Sequence, residues 1–432
     1  MRDRKEIEQL IQNSKHFCMV PWVHLHVTAL GNMSPCMSLL EGSEASGYGS
    51  LNEHSFQELW QGERIRKLRL RMLEDKPSFN CKKCYERDSI GYWSQRRDSN
   101  EKYGKYLDWV ETTDENGYAH DAKPVHWDVR FSNLCNLKCR MCSYSASSAW
   151  YEDAINLGQI DPEQETSKVR GVENTEPFLQ ELEEYIPYVD KLHFAGGEPL
   201  LLNENAYILE RLRHHKKFDT EIKYNTNLTN LSHRSKNIVE QWRYFENIQL
   251  NVSIDGVGER CEYVRKNLNW DKFLKNIEIV KMEKNVDLII NITVSIFNIM
   301  KLVEIHKYMY ENNYINLDKI CINLLHYPEF YSAKLLPSEM KKQVTEEILN
   351  HLSWLRQQAP YNDINQDYDP ESLDQWESVI AYMNSEDWTH LIPRFFENTA
   401  KLDELRNENL LDVFPELRVL NEHQNKGMGA LK

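Results

Sequence analysis

Residues 125–142 read VHWDVRFSNLCNLKCRMC, a strand-like run that ends in three cysteines, Cys135, Cys139 and Cys142. Their spacing is C-x3-C-x2-C. Thiolates are soft ligands, and three on so short a loop can hold three corners of a cubane iron–sulfur cluster, leaving one iron open. A zinc loop fits less well, because structural zinc takes four protein ligands and no residue nearby supplies the fourth. Position adds to spacing. In β/α barrels the loops that leave the C-terminal ends of strands carry the chemistry, and this loop follows the first strand of a series.

That series runs on from the cysteines. Strand patterns occupy 125–134, 191–194, 221–225, 248–254, 288–296 and 320–325, with helical patterns between them at 203–215, 234–245, 271–283 and 300–312. Six alternating β/α units predict a parallel sheet with helices outside it, the α/β architecture of a partial (β/α)6 barrel. Three regions follow, with no internal repeat: residues 1–104, a core at 125–328, and a helical C-terminal extension at 329–432. Residues 105–124, polar and acidic, read as a linker. The extension holds Trp354, Trp376, Trp388, Phe395 and Phe396, which read as core, and no catalytic motif.

Further motifs stand at the strand ends. The second strand ends in FAGGEPL, with Gly196, Gly197 and Glu198. Glycines let a backbone approach a ligand closely, and a carboxylate favours an ammonium group. The third strand ends in YNTNLTN, where Asn225 and Asn227 alternate and share a face. The fourth ends in NVSIDGVGE, where Asp255 with Gly256 reads as turn chemistry.

With these motifs in order, the chain resembles the radical S-adenosylmethionine (SAM) enzymes. The resemblance implies that Cys135, Cys139 and Cys142 hold a 4Fe–4S cluster whose open iron binds the amino and carboxylate groups of SAM. It implies that Gly196, Gly197 and Glu198 meet the SAM amino group. Asn225, Asn227 and Ser253 would stand in the cofactor site, with Ser253 on the ribose or carboxylate. Arg265 would pair with the carboxylate, a strong bidentate contact, and Val294 would lie against adenine. One departure is Met141, where many members carry an aromatic residue before the last cysteine. A thioether can make a similar apolar contact.

A second cysteine group precedes the core. Cys18 and Cys36 form C-x12-G-x4-C around Gly31, and Cys81 and Cys84 form C-x2-C. Between them lies YGSLNEHSFQELWQGERIRKL, with a capping box at Ser55 and Glu58 and an apolar stripe at Phe56, Leu59 and Trp60. This region resembles the SPASM and twitch domains of radical SAM enzymes, which imply an auxiliary 4Fe–4S cluster. Zinc held by four cysteines fits the same spacing, and the residues alone leave both open.

Composition narrows the function. The 432 residues include 67 Asp and Glu against 52 Lys and Arg, a formal net charge of −15. An acidic chain repels a phosphate backbone, which argues against nucleic acid as partner. The basic run Arg64, Arg66, Lys67, Arg69 and Arg71 has helical spacing and reads as a solvated face. No stretch reaches the roughly 18 apolar residues of a membrane span. The first residues lack a secretory h-region, so a cytoplasmic location is expected. Seven of the nine cysteines fall in the two groups, which suggests metal ligation rather than disulfides; Cys261 and Cys321 stand apart and read as packing. His326 and Tyr327 lie near the end of the sixth strand, and His326 reads as structural.

The leading expectation is reductive SAM cleavage followed by hydrogen abstraction from a peptide, a protein side chain or a small metabolite. An electron donor such as flavodoxin or ferredoxin is implied. The alternatives are a nucleic-acid-modifying enzyme of the same chemistry and a non-catalytic zinc- and SAM-binding protein. No catalytic base or hydrogen donor is named by the sequence.

Overall fold

A computed structural model describes residues 3–37, 47–89, 94–163, 166–233, 236–358 and 371–421. The chain forms two compact units. One comprises Met1–Leu134, Lys168–Lys223 and Gln241–Ile248; the other comprises Cys135–Ser167, Tyr224–Glu240 and Gln249–Lys432. The strands are β1 (His24–Val27), β2 (Asn32–Ser34), β3 (Gly49–Ser50), β4 (His126–Val129), β5 (Lys138–Cys139), β6 (Lys191–Phe194), β7 (Glu221–Thr226), β8 (Ser232–His233), β9 (Lys236–Asn237), β10 (Ile248–Ser253), β11 (Arg265–Lys266), β12 (Val286–Val294) and β13 (Ile320–Leu324).

In the first unit the strand order is β3-β2-β1-β4-β6. β1 and β2, and β2 and β3, pair antiparallel, whereas β1 with β4 and β4 with β6 are parallel. β1, from the N-terminal cysteine region, thus sets Leu25 and Val27 opposite Trp127 and Val129. The second unit carries β10, β12 and β13 in that order, with β12 and β13 parallel. Among the described residues, β3 and β13 each have a strand neighbour on one side only. All six expected core strands form, as β4, β6, β7, β10, β12 and β13.

The pattern of β12 explains its place. Leu288, Ile290, Ile292 and Val294 are buried, while Asn291 and Thr293 between them are half-buried, because successive side chains point to opposite faces. Each such buried aliphatic contributes ~2 kcal/mol. The helix Trp270–Lys281 follows the helical period instead. The Asn269 side chain accepts from the Lys272 N–H at its start, and Phe273, Ile277 and Val280 form its buried stripe. Helices Asn203–His214, Ile238–Trp242 and Leu302–Glu311 occupy the other expected intervals. Of the helix expected at 234–245, residues 234–235 lie outside the described residues.

Two expectations are corrected. Residues 105–124 are not a linker but folded chain: Leu107–Glu111 is helical, and Leu107, Val110, Ala119 and Ala122 are buried. The Trp22 indole donates to Thr113 Oγ1, and the Gln61 amide donates to the Ala119 carbonyl. Polar composition misled because a few small and apolar residues carry the packing. Nor is the basic run of the helix Glu63–Leu73 wholly solvated. Arg69 is fully buried and donates to the Pro21 and Trp60 carbonyls and to Gln61 Oε1. Those acceptors offset its desolvation. Ser55 and Glu58 do form the capping box, and Phe56, Leu59 and Trp60 are buried.

In the second unit the extension adds helices Ser338–Leu355, Glu371–Asn384 and Ile392–Arg406, with Trp376 and Phe395 fully buried. No described helix is long and apolar enough to cross a membrane. His306 and His351 meet in this core, Nδ1 to Nε2 at 2.9 Å. Burial holds both neutral, pushing His306 down to about 4 and His351 down to about 3. The unfolded chain protonates each near its ordinary 6.5, so below that pH the unfolded state binds more protons. Stability is therefore expected to fall as pH drops from about 6.5, by up to ~1.4 kcal/mol per pH unit for each histidine. Urea midpoints measured from pH 7.5 to pH 5 check this; a midpoint that stays level would contradict it.

Candidate functional site

The cysteine loop begins one residue after Leu134, where the first unit ends and the second begins. In the first unit, residues 196–198 pack on the approach to it. The Glu198 N–H donates to the Leu134 carbonyl at 2.7 Å, and the Gly197 N–H to the Ser132 carbonyl at 3.3 Å. A Cβ on Gly197 would overlap the Leu134 carbonyl oxygen, so only glycine fits. Glu198 is buried and its carboxylate accepts from the Leu200 N–H at 3.1 Å.

In the second unit the loop is held by its own backbone and by neighbours. Cys142 N–H donates to the Cys139 carbonyl at 3.0 Å, and the Trp150 indole to the same carbonyl at 2.7 Å. Cys135 N–H donates to Ser148 Oγ at 3.2 Å. Cys139 is buried, Cys135 half-buried and Cys142 exposed. A hydrogen bond from the Cys142 thiol, helped by the Arg265 charge, holds the Cys139 thiol below its usual range.

The expected cofactor residues fall in different settings. Asn227 Nδ2 lies 3.0 Å from Asn136 Oδ1 and 3.9 Å from Cys135 Sγ. Asn225 Oδ1 instead accepts from Asn251 Nδ2 at 3.2 Å. Ser253 ends β10 half-buried. Val294 is fully buried on the face it shares with Ile290 and Ile292. Arg265, opposite Cys139 in the β5–β11 pair, has Nη2 2.7 Å from Asp255 Oδ2 and Nη1 3.9 Å from Cys139 Sγ. Asp255 is thus more than a turn residue: fully buried, it also accepts from the Thr293 N–H at 3.0 Å. Burial pushes its carboxyl up, against the pull of Arg265.

The donor set fits an anionic iron–sulfur cluster. Three thiols share the loop. Among the described residues, the buried Arg265 Nε, Arg140 Nη1 and both Arg406 Nη atoms have no hydrogen-bond partner. Buried guanidinium N–H groups left unpaired are costly unless an anion meets them.

The first unit holds the other four thiols. Cys18, Cys36, Cys81 and Cys84 line one cavity with His16, Asn80 and Arg96. Burial pushes the Cys18 thiol well above its usual range, and the Cys81, Cys36 and Cys84 thiols add to the effect. Burial likewise takes Cys81 up to about 11. The Tyr48 hydroxyl, which these thiols also influence, is buried with no hydrogen-bond partner among the described residues. Gly31 sits at φ 78°, where a Cβ would overlap the Gly171 carbonyl oxygen. Among the described residues, no three Cys, His, Asp or Glu side chains converge on a single-ion site.

Sequence reasoning missed a polar row in the first unit. Asp128 Oδ2 lies 3.2 Å from His26 Nδ1 and 3.4 Å from His193 Nδ1, and its Oδ1 lies 3.4 Å from Arg130 Nε. Burial alone would raise the Asp128 carboxyl, but the two imidazoles outweigh it and hold it well below its usual range. Register made the row: His26, Asp128 and His193 are directly opposite on β1, β4 and β6. The pairing of β1 with β4 is the signal that sequence lacked.

Residues 129–309 match the family model of the radical SAM superfamily, and residues 18–85 that of an iron–sulfur cluster-binding domain, SPASM. The first span holds the loop cysteines and the second the other four. No curated protein matches the chain. Among solved structures, the chain is similar in part to anSMEcpe with bound AdoMet, at 18% identity over 52% of this chain and 60% of that one, with a TM-score of 0.36. It is similar in part to Streptococcus suis SuiB bound to S-adenosylmethionine, at 13% identity over 68% and 62%, with a TM-score of 0.35. SuiB bound to precursor peptide SuiA gives 14% identity over 78% and 70%, with a TM-score of 0.36. The chain spans 60% of the first structure and 62% of the second, less than two-thirds of either.

Proposed function

We propose that this chain, whose residues 129–309 match the radical SAM superfamily and 18–85 a SPASM iron–sulfur cluster-binding domain, cleaves SAM reductively and directs the radical at a peptide, a protein side chain or a small metabolite. A 4Fe–4S cluster at Cys135, Cys139 and Cys142 would supply the electron that breaks the SAM carbon–sulfur bond, giving methionine and the hydrogen-abstracting 5'-deoxyadenosyl radical. The observation that carries the reading is the three-thiol loop, with unpaired buried guanidinium groups in its unit.

The chain's own residues hold and orient. Glu198 and Gly197 fix the backbone at Leu134, just ahead of Cys135. Asn227 braces the loop through Asn136, and Arg265 places an N–H toward Cys139 Sγ. Gly196, Gly197, Glu198, Asn225, Asn227, Ser253, Arg265 and Val294 are proposed as SAM contacts on the strength of the family resemblance. Residues 1–104 would form the auxiliary-cluster domain, 125–328 the radical-generating core and 329–432 an extension. A peptide or protein substrate leads, supported by the iron–sulfur domain, which relatives acting on peptides often carry. Flavodoxin or ferredoxin would donate the electron.

Anaerobic reconstitution is expected to give about eight irons per chain, two cubanes' worth, and 5'-deoxyadenosine in the presence of dithionite and SAM. A protein that takes only zinc and leaves SAM intact would overturn the proposal.

A further inference from the structure

The cysteine loop is tied to the far end of the chain. Arg140, between Cys139 and Cys142, has a fully buried side chain. Its Nη2 lies 2.5 Å from Asp403 Oδ1 and 2.6 Å from Glu408 Oε2. Its guanidinium lies 3.7 Å over the Tyr263 ring, and the Tyr263 hydroxyl donates to Asp403 at 2.7 Å. A second tie runs through Asp153, which accepts from Lys138 Nζ at 2.8 Å and from Arg406 Nε at 2.9 Å. A third joins Lys266, opposite Lys138 in the β5–β11 pair, to Glu408 at 2.9 Å. The segment from Lys138 to Arg140 is thus braced by residues 403–408.

Two features separate this from ordinary surface pairing. The partners are buried or nearly so: Arg140 is 1% exposed and Arg406 8%. Buried pairs keep their strength in salt and hold geometry, whereas exposed pairs contribute little. Arg406 also keeps both Nη groups unpaired in buried space, among the described residues, over the ring of Trp150, whose indole bonds the Cys139 carbonyl.

We propose that residues 403–408 of the C-terminal extension are a positioning clamp on the cysteine loop, with Arg406 as the buried cation that favours the reduced state of its cluster. The proposal rests on the reading that Cys135, Cys139 and Cys142 hold a cluster. Asp403 and Glu408 fix the loop through Arg140. Arg406, paired through Nε with Asp153 and separated from the loop by the Trp150 ring, adds positive charge on that side of it, and reduction makes the cluster more negative by one charge, so the cation stabilises the reduced form.

The test uses the full reconstituted chain. Arg406→Gln is expected to shift the reduction potential of the loop cluster to more negative values, and Arg406→Lys to restore part of the shift. Asp403→Asn with Glu408→Gln is expected to lower SAM affinity and substrate-free 5'-deoxyadenosine formation by about 10- to 100-fold, the usual effect of removing outer-shell support. Arg356→Gln, which breaks the exposed Arg356–Glu377 pair in the same extension, serves as the control and leaves all three unchanged. If the double variant fails to fold by circular dichroism, the potential of Arg406→Gln decides alone. Wild-type potential, SAM affinity and cleavage in the folded variants would overturn the clamp while leaving the functional reading intact. A wild-type chain that takes no iron on the loop cysteines would overturn both.

Discussion

Cys139→Ala is expected to end the proposed reductive SAM cleavage, with 5'-deoxyadenosine falling to the level of a protein-free control. Cys139 is the buried member of the loop triplet, paired in register with Arg265 and bonded through its carbonyl to Trp150 and Cys142. Alanine keeps the backbone and removes one of three ligands, which a cluster with an already open iron cannot spare. Iron is expected to fall from about eight to about four per chain, because Cys18, Cys36, Cys81 and Cys84 are untouched. SAM affinity falls with it. A non-catalytic SAM-binding protein would keep that affinity, so equilibrium dialysis of the variant separates the two.

Gly197→Ala is expected to be nearly as damaging without touching a thiol. The added Cβ would overlap the Leu134 carbonyl oxygen and lie 2.6 Å from the Asn133 and Leu134 carbonyl carbons. These are backbone atoms, which cannot swing aside as a side chain would. Relief must come from moving the segment that enters the cysteine loop, at the cost of the 2.7 Å bond from Glu198 N–H to Leu134. The expected cost is ~3 kcal/mol, the upper part of the overpacking range, with loss of SAM cleavage. Gly104→Ala is the comparison: the helical backbone there has φ −55°, and the nearest atom to an added Cβ is 3.9 Å away. It is expected to leave the urea midpoint level or slightly raised. Equal midpoints for the two variants would show that the close approach at Gly197 carries no weight.

Periodicity and short-range chemistry made much of this molecule legible. The strand patterns at 288–296, 191–194 and 221–225 become β12, β6 and β7, and the Ser55–Glu58 box caps its helix. Cysteines within eight residues of one another also announce themselves, as Cys135, Cys139 and Cys142 do. What was not legible depends on contacts between distant segments. Asp255 reads as a turn residue until β11 brings Arg265 to it. His26, Asp128 and His193 form a row only because β1 lies beside β4. Arg140 meets Asp403 across 263 positions, and no local pattern marks either as a partner of the other. Arg69 shows the same limit in reverse, a charge that spacing placed on a solvated face and that carbonyl acceptors draw inside.

The central claim is that the loop cysteines hold a cluster whose open iron takes SAM. Electron paramagnetic resonance of the anaerobically reconstituted, dithionite-reduced chain, recorded with and without SAM, tests it most directly. The account predicts that SAM changes the signal of the loop cluster, and that Cys139→Ala loses this change while the signal from the N-terminal cysteines persists. Identical spectra with and without SAM in the iron-loaded wild-type chain would contradict it.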